Sequence, residues 1–218
     1  KPDGYLISAA QDPEVATILL DTARKQNAKY AFEGVEFGVV ERDRAVGGQL
    51  LTLRGLAGEY PDIELPLHGE HQGQNASLAL AAVEAFFGGD RALARDVVLA
   101  GFAQVRSPGR LEMIRSEPLV VLDAAHNPHG VRAASTAFKE AFELSHVHAV
   151  VGILGEKDAL GIFEVLREEY VDSTDATFRL YLSASDSSRA IAPEELQEIA
   201  LDAGFDEDII TVCDHLDE

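Results

Sequence analysis

The sequence predicts an α/β protein built in two parts, and three observations carry that prediction. From Leu119 onward, short apolar runs alternate with amphipathic stretches of helical length, the rhythm of βα units feeding a mostly parallel sheet covered on both faces. Ahead of that region, strand-like runs cluster around Ala- and Leu-rich helical segments. Between the two lies Ser107-Pro108-Gly109-Arg110, whose Pro-Gly pair interrupts regular structure. The domain junction is placed there, giving one unit over residues 1–106 and a second over residues 107–218.

The elements follow in order. Tyr5 to Ala9 reads as a short buried strand, and Asp12-Pro13-Glu14 then offers an N-cap, a proline at the first helical position and a first-turn acid for a helix to about Asn27. Phe37–Val40, Gln49–Leu53 and Ile63–Leu67 are strand-like runs separated by Gly-rich or charged turns. Gln72 to Phe87 carries Leu78, Ala82, Ala85 and Phe86 near helical spacing, with Gly88-Gly89 as a stop. Another helix is expected over Arg91–Ala103. Past the junction come strand Leu119–Leu122, helix Pro128–Phe142, strand His148–Val151, helix Leu160–Tyr170, strand Phe178–Leu182, helix Pro193–Ala203 and strand Ile209–Val212.

Composition narrows the function. The 218 residues are 46% hydrophobic but only 7% aromatic and contain no Trp, which fits two modest cores better than one large one. Eighteen Lys and Arg face 38 Asp and Glu, a formal charge of −20 that repels a polynucleotide backbone. A small phosphate site survives that argument, since it needs only one or two cations and some backbone N–H groups. The lone Cys213 excludes an internal disulfide or a Cys-rich zinc site and fits a reduced, cytoplasmic setting. No run of about 18 apolar residues is present, so no membrane association is expected. The opening Lys1-Pro2-Asp3-Gly4 is not the head of a signal peptide, and both ends read as cut: an element is expected beyond Glu218.

In open parallel sheets ligands sit beyond the C-terminal ends of the strands. Asp123-Ala124-Ala125-His126-Asn127-Pro128-His129-Gly130 occupies such a position. Asp123 can accept from a ribose hydroxyl, and His126 can approach a phosphate or a developing oxyanion at the next helix start. The plainer reading has Asp, Asn and Pro doing no more than capping and starting that helix. In Gly69-Glu70-His71-Gln72-Gly73-Gln74-Asn75-Ala76, His71 and Asn75 stand at i and i+4 on one face, where an amide can meet a base edge; local capping by His71 and a solvated Asn75 compete with that. Arg110 is a phosphate clamp or a surface cation. Gly152-Ile153-Leu154-Gly155-Glu156-Lys157-Asp158 tempts a phosphate-loop assignment but lacks the G-x-x-x-x-G-K-[S/T] spacing, and no G-x-G-x-x-G occurs in the chain. Lys157 and Asp158 are left as ligand or hinge contacts, with helix capping the alternative for Asp158, and Arg189 as a carboxylate partner or a solvated loop residue.

H-G-E-H-Q-G-Q-N-A, S-P-G-R-L-E, L-D-A-A-H-N-P-H-G and G-E-K-D, in this order and at these separations, resemble the C-terminal half of the folylpolyglutamate synthase / dihydrofolate synthase family within the Mur ligase superfamily. The resemblance spans essentially the whole chain. It implies the last part of a central ATPase domain followed by a Rossmann-like C-terminal domain, with ATP and Mg2+ as cofactors. The family's phosphate loop is expected before Lys1, so the isolated chain is expected to be inactive. Folate or dihydropteroate, L-glutamate and ATP are the implied substrates, joined by domain closure about Ser107–Arg110, and a monomer is expected. Carried over by motif, Asn75 matches the residue that contacts adenine, Arg110 the one that reaches the phosphates, Asp123 the one on the ribose side of ATP, and His126 a residue near the reacting centre, with His71 beside the nucleotide. Ala124 stands where the family usually has Gly, and Glu156-Lys157-Asp158 where it has D-K-D.

Two alternatives accompany this reading. Another amide ligase of the Mur superfamily shares the architecture and chemistry. From a different class, Asp123, His126 and His129 have a D-x-x-H-x-x-H spacing that can hold a metal for hydrolysis. The ligase reading itself assigns no protein residue as a metal ligand.

Overall fold

The computed structural model describes residue 2 and residues 4–213. The chain divides into two compact units, Lys1–Pro108 and Gly109–Glu218.

The first unit opens with β1 (Tyr5–Ser8), α1 (Pro13–Lys25) and β2 (Lys29–Phe32), in which β1 and β2 pair in parallel around the helix. Asp12 takes the N-cap position without making a side-chain cap bond, so α1 starts on the preset φ of Pro13 and the acid of Glu14. β2 was not expected: Lys-Tyr-Ala-Phe is too short and too polar at its head to signal a strand, and only the pairing with β1 makes it one. β3 (Gly38–Ala45), β4 (Gly48–Arg54) and β5 (Glu59–Leu65) form an antiparallel meander. α2 (Glu70–Phe86) and α3 (Arg95–Ala103) cover it, burying Leu51, Leu53, Tyr60, Ile63, Leu65, Ala76, Leu80 and Val98 together. Ala81 on α2 packs instead with Ala31 and Phe37, which joins the β1–β2 layer to the same helix.

α3 begins four residues later than its composition suggests. The Tyr60 hydroxyl accepts from Leu93 N at 2.7 Å, which holds residues 91–94 as a loop against β5. The same hydroxyl donates to Glu84 Oε1 at 2.6 Å. Glu84 is fully buried on α2, and its Oε2 also accepts from Leu56 N and, at 3.2 Å, from Ala57 N in the β4–β5 turn. Burial and the Glu84 bond push the Tyr60 phenol up to about 12. The carboxyl group therefore fastens the turn to the helix. Gly55 makes the approach possible, because a Cβ there would strike the Glu84 carboxyl.

The second unit comprises β6 (Glu112–Ser116), β7 (Leu119–Leu122), α4 (Pro128–Ala141), β8 (His146–Val151), α5 (Ala159–Leu166), β9 (Thr177–Leu182), α6 (Pro193–Asp202) and β10 (Ile210–Val212). β8, β9 and β10 form a parallel sheet in the order β10-β9-β8. β7 does not join it; it pairs antiparallel with β6, a strand whose exposed, charged pattern hid it from periodicity. The mostly parallel sheet expected here is thus the three strands β8, β9 and β10, with β7 outside it among the described residues. Phe178, Leu180 and Leu182 of β9 are buried with Ile162, Phe163, Leu196 and Ala200 of α5 and α6. The alternate side chains point the other way, where His148 stacks on Tyr181 and Val150 stays 66% exposed. α5 is shorter than predicted and passes into a π-helical turn over Arg167–Asp172. Its Glu168 and Glu169 bind Arg132, and Glu169 also binds Lys139, which ties this turn to α4. No described helix is long and apolar enough to cross a membrane.

Candidate functional site

In the first unit the candidate residues sit at the start of α2. Gly69, at φ 94°, takes a backbone conformation open to glycine, and its carbonyl accepts from Gln72 N at 3.0 Å to begin the helix. The Gln72 side chain, almost buried, joins the two predicted residues. Its Nε2 lies 3.0 Å from His71 Nε2, and its Oε1 accepts from Asn75 Nδ2 at 3.4 Å. An amide nitrogen can only donate, so the facing ring nitrogen of His71 is the acceptor. Asn75 itself is exposed. His71 and Asn75 are thus brought together through a residue quoted in the sequence motif but given no role there. Its i, i+3 spacing to Asn75 was the available signal.

His68, just before this start, is half-buried, and desolvation holds its imidazole below the usual histidine range. A histidine whose folded pKa is depressed takes up its proton more readily when unfolded, so stability is full above the unfolded value, about 6.5, and falls as pH drops below it. Chemical denaturation at pH 7.5 and pH 5.5 is expected to show a loss at the lower pH that His68→Gln reduces. An equal loss in the variant would assign the pH dependence to other groups.

The second unit gathers the other candidates at the C-terminal end of β7. Both Asp123 oxygens accept from backbone: Oδ2 from Leu111 N at 2.9 Å and Oδ1 from Ala125 N at 2.7 Å. Ala124 N donates to Gly109 O at 2.8 Å, and Gly109 N to Glu112 Oε2 at 2.9 Å. The segment carrying Arg110 is therefore sewn to the strand end, with Gly109 at φ 69° and Leu111 at φ 45° flanking an exposed arginine. His126 Nδ1 lies 3.1 Å from Ala124 O; a carbonyl only accepts, so Nδ1 bears the proton and Nε2 of this exposed ring is left outward. Asn127 Oδ1 accepts from Gly130 N at 2.7 Å, and Pro128 follows, so these two do cap and start α4.

Asp123, His126 and Lys157 are among the residues lining a cavity of about 340 Å³, together with Val121, Val131, Phe138 and Tyr170. Burial pushes the Tyr170 phenol up. Asp158 caps α5 through Gly161 N at 3.0 Å, the plainer of its two predicted roles, and Arg189 pairs with Glu156 at 3.0 Å, linking the loops that follow β8 and β9. The metal-hydrolase alternative is not favoured: among the described residues no group of three or more His, Cys, Asp or Glu converges to hold a metal ion.

What the arrangement offers is an exposed arginine held on a fixed loop, a histidine with an outward ring nitrogen, and a carboxylate whose oxygens each retain accepting capacity.

The chain is 44% identical to the dihydrofolate synthase/folylpolyglutamate synthase of Mycobacterium tuberculosis over 219 residues, which cover 99% of this chain and 43% of that protein. The solved structure of M. tuberculosis folylpolyglutamate synthase complexed with ADP and AMPPCP matches with a TM-score of 0.88 at 43% identity, covering 98% of this chain and 46% of that one. The folylpolyglutamate synthase of Thermotoga maritima shares the fold, with a TM-score of 0.75 at 22% identity over 98% of this chain and 48% of its own. The chain thus spans less than half the length of these relatives. Residues 109–218 match the model of the Mur ligase glutamate ligase domain, and the chain belongs to the Mur ligase family.

Proposed function

We propose that this chain serves an ATP-dependent ligase that joins L-glutamate to the carboxylate of folate or dihydropteroate. The observation that carries the reading is the likeness to the M. tuberculosis synthase along nearly the whole chain. Residues 1–106 are then the end of an ATPase domain and residues 107–218 a Rossmann-like ligase domain. In such a reaction the substrate carboxylate takes the terminal phosphoryl group of ATP, releasing ADP, and the glutamate amine displaces phosphate from the resulting acyl phosphate to leave an amide.

The residues divide the work. Asn75, oriented by Gln72 and flanked by His71, meets the adenine. Arg110 reaches the phosphates, and the backbone bonds from Asp123 and Ala124 hold its loop in place. Asp123 keeps a second lone pair on each oxygen for the ribose side. His126 presents Nε2 toward the reacting centre. Mg2+ belongs with the triphosphate rather than in a cage of this chain's own side chains. The protein is expected to act as a cytoplasmic monomer.

The test is ADP release dependent on both a pteroyl carboxylate and L-glutamate by an enzyme carrying this chain. Arg110→Ala should lower kcat/KM for ATP by roughly 10- to 100-fold, the worth of a charge-assisted hydrogen bond of about 1.5–3 kcal/mol, with little change in folate KM. Equal damage to both substrates would mean a folding defect and remove Arg110 from the phosphate site.

A further inference from the structure

Gln49 occupies the second position of β4, is 3% exposed, and has its whole amide engaged. Its Nε2 donates to Leu67 O at 2.9 Å and to Gly69 O at 3.0 Å, and its Oε1 accepts from Arg42 Nε at 2.7 Å. Because both partners of the nitrogen are carbonyls and the partner of the oxygen is a guanidinium, the amide can face only one way. The Gly69 carbonyl is the one that also accepts from Gln72 N to open α2. Gly69 has no side chain to cap that helix and makes no side-chain cap bond. What fixes the helix start on the sheet is therefore a side chain from β4, twenty residues earlier in the chain.

We infer that Gln49 is a positioning residue for the base-binding end of α2: through Leu67 O and Gly69 O it sets the place and angle at which His71, Gln72 and Asn75 are presented. This rests on the proposed adenine contact of Asn75 and adds a residue that touches no ligand. Burial of an amide with all its partners in place orients its surroundings, and an acceptor in place of the donor sets oxygen against oxygen. Gln49→Glu is thus the informative variant. It keeps the shape and the Arg42 partner but removes both donated bonds.

The experiment titrates ADP against an isotope-labelled enzyme carrying this chain by NMR, following the Asn75 side-chain amide and the backbone of residues 69–76, with amide hydrogen exchange of that segment measured in parallel. Gln49→Glu and Gln49→Ala are expected to speed exchange at residues 69–73 and to weaken ADP binding at Asn75 about three- to tenfold, the worth of one or two ordinary hydrogen bonds. Gln49→Asn, which keeps the donors on a shorter arm, should recover part of the affinity. A variant with a lower Tm but unchanged exchange at residues 69–73 and unchanged ADP affinity would overturn the inference and leave Gln49 as a core residue. If ADP moves no Asn75 signal in a parent enzyme carrying this chain, the base-contact reading fails, and the inference falls with it for nucleotide binding. In that case unchanged exchange would also sink the positioning of α2 itself, whereas faster exchange would retain it.

Discussion

Replacing Glu84 with alanine is expected to cost at least about 3 kcal/mol, read as a shift in the urea midpoint of the transition that contains residues 1–108. The fully buried carboxyl group receives the Tyr60 hydroxyl in a buried bond and the backbone N–H groups of Leu56 and Ala57 in partly buried ones. Each buried donor left without a partner costs roughly 1–3 kcal/mol, and the missing side chain leaves a void besides. Tyr60→Phe should cost less, since it orphans Leu93 N and one carboxyl oxygen while keeping the ring packed. The tyrosine provides a second readout. Its phenol, pushed up to about 12, ionises later folded than unfolded, so stability is full below the unfolded value near 10 and is lost as pH rises through the folded one. Tyr60→Phe should flatten that alkaline limb. A Glu84→Ala midpoint within experimental error of the parent would show the turn to be held by packing alone.

The second large effect is expected at His126. In an enzyme carrying this chain, His126→Ala should lower kcat by roughly 100-fold or more, the scale of a proton-transfer or oxyanion-stabilising group, while ATP KM and Tm stay near the parent values. The structural basis is the tautomer. With Nδ1–H given to Ala124 O, Nε2 is free to accept a proton or, once charged, to donate toward an anion. An exposed ring with one local bond contributes little to stability, and α4 is capped independently by Asn127. His126→Gln, which can keep one polar contact but cannot transfer a proton, should retain far less activity than the parent. A variant that melts several degrees lower yet turns over normally per folded molecule would make His126 part of the loop's structure and nothing more.

Much of the second unit was readable because its signals are local. Asn127 and Pro128 start a helix by chemistry contained within four residues, and apolar runs such as Leu119–Leu122 and Phe178–Leu182 name themselves as strands. The same locality hid β2 and β6, whose residues become strands only through a partner elsewhere in the chain. Among the candidate residues, the motif order brought His71, Asn75, Arg110, Asp123 and His126 into view. It gave no hint that Asp123 would be bonded to Leu111 N, or that Gln49 would hold the start of α2, because both bonds close loops of a dozen or more residues and leave no periodic trace. Glu84 is the plainest case. On a helical wheel an acid reads as solvent-facing, and only the turn brought over it by Gly55 makes it the least exposed acid of the unit.

The order β10-β9-β8 has a practical consequence for anyone handling this chain. β8 is the outer member of its sheet among the described residues, and its sequence, His-Val-His-Ala-Val-Val, carries no Lys, Glu or Pro to discourage another strand from docking beside it. With Val150 largely exposed, concentrated samples should self-associate through this edge. Light scattering of Val150→Lys against the parent would show it: the lysine should raise the concentration at which aggregates form, without altering the melting profile of either unit.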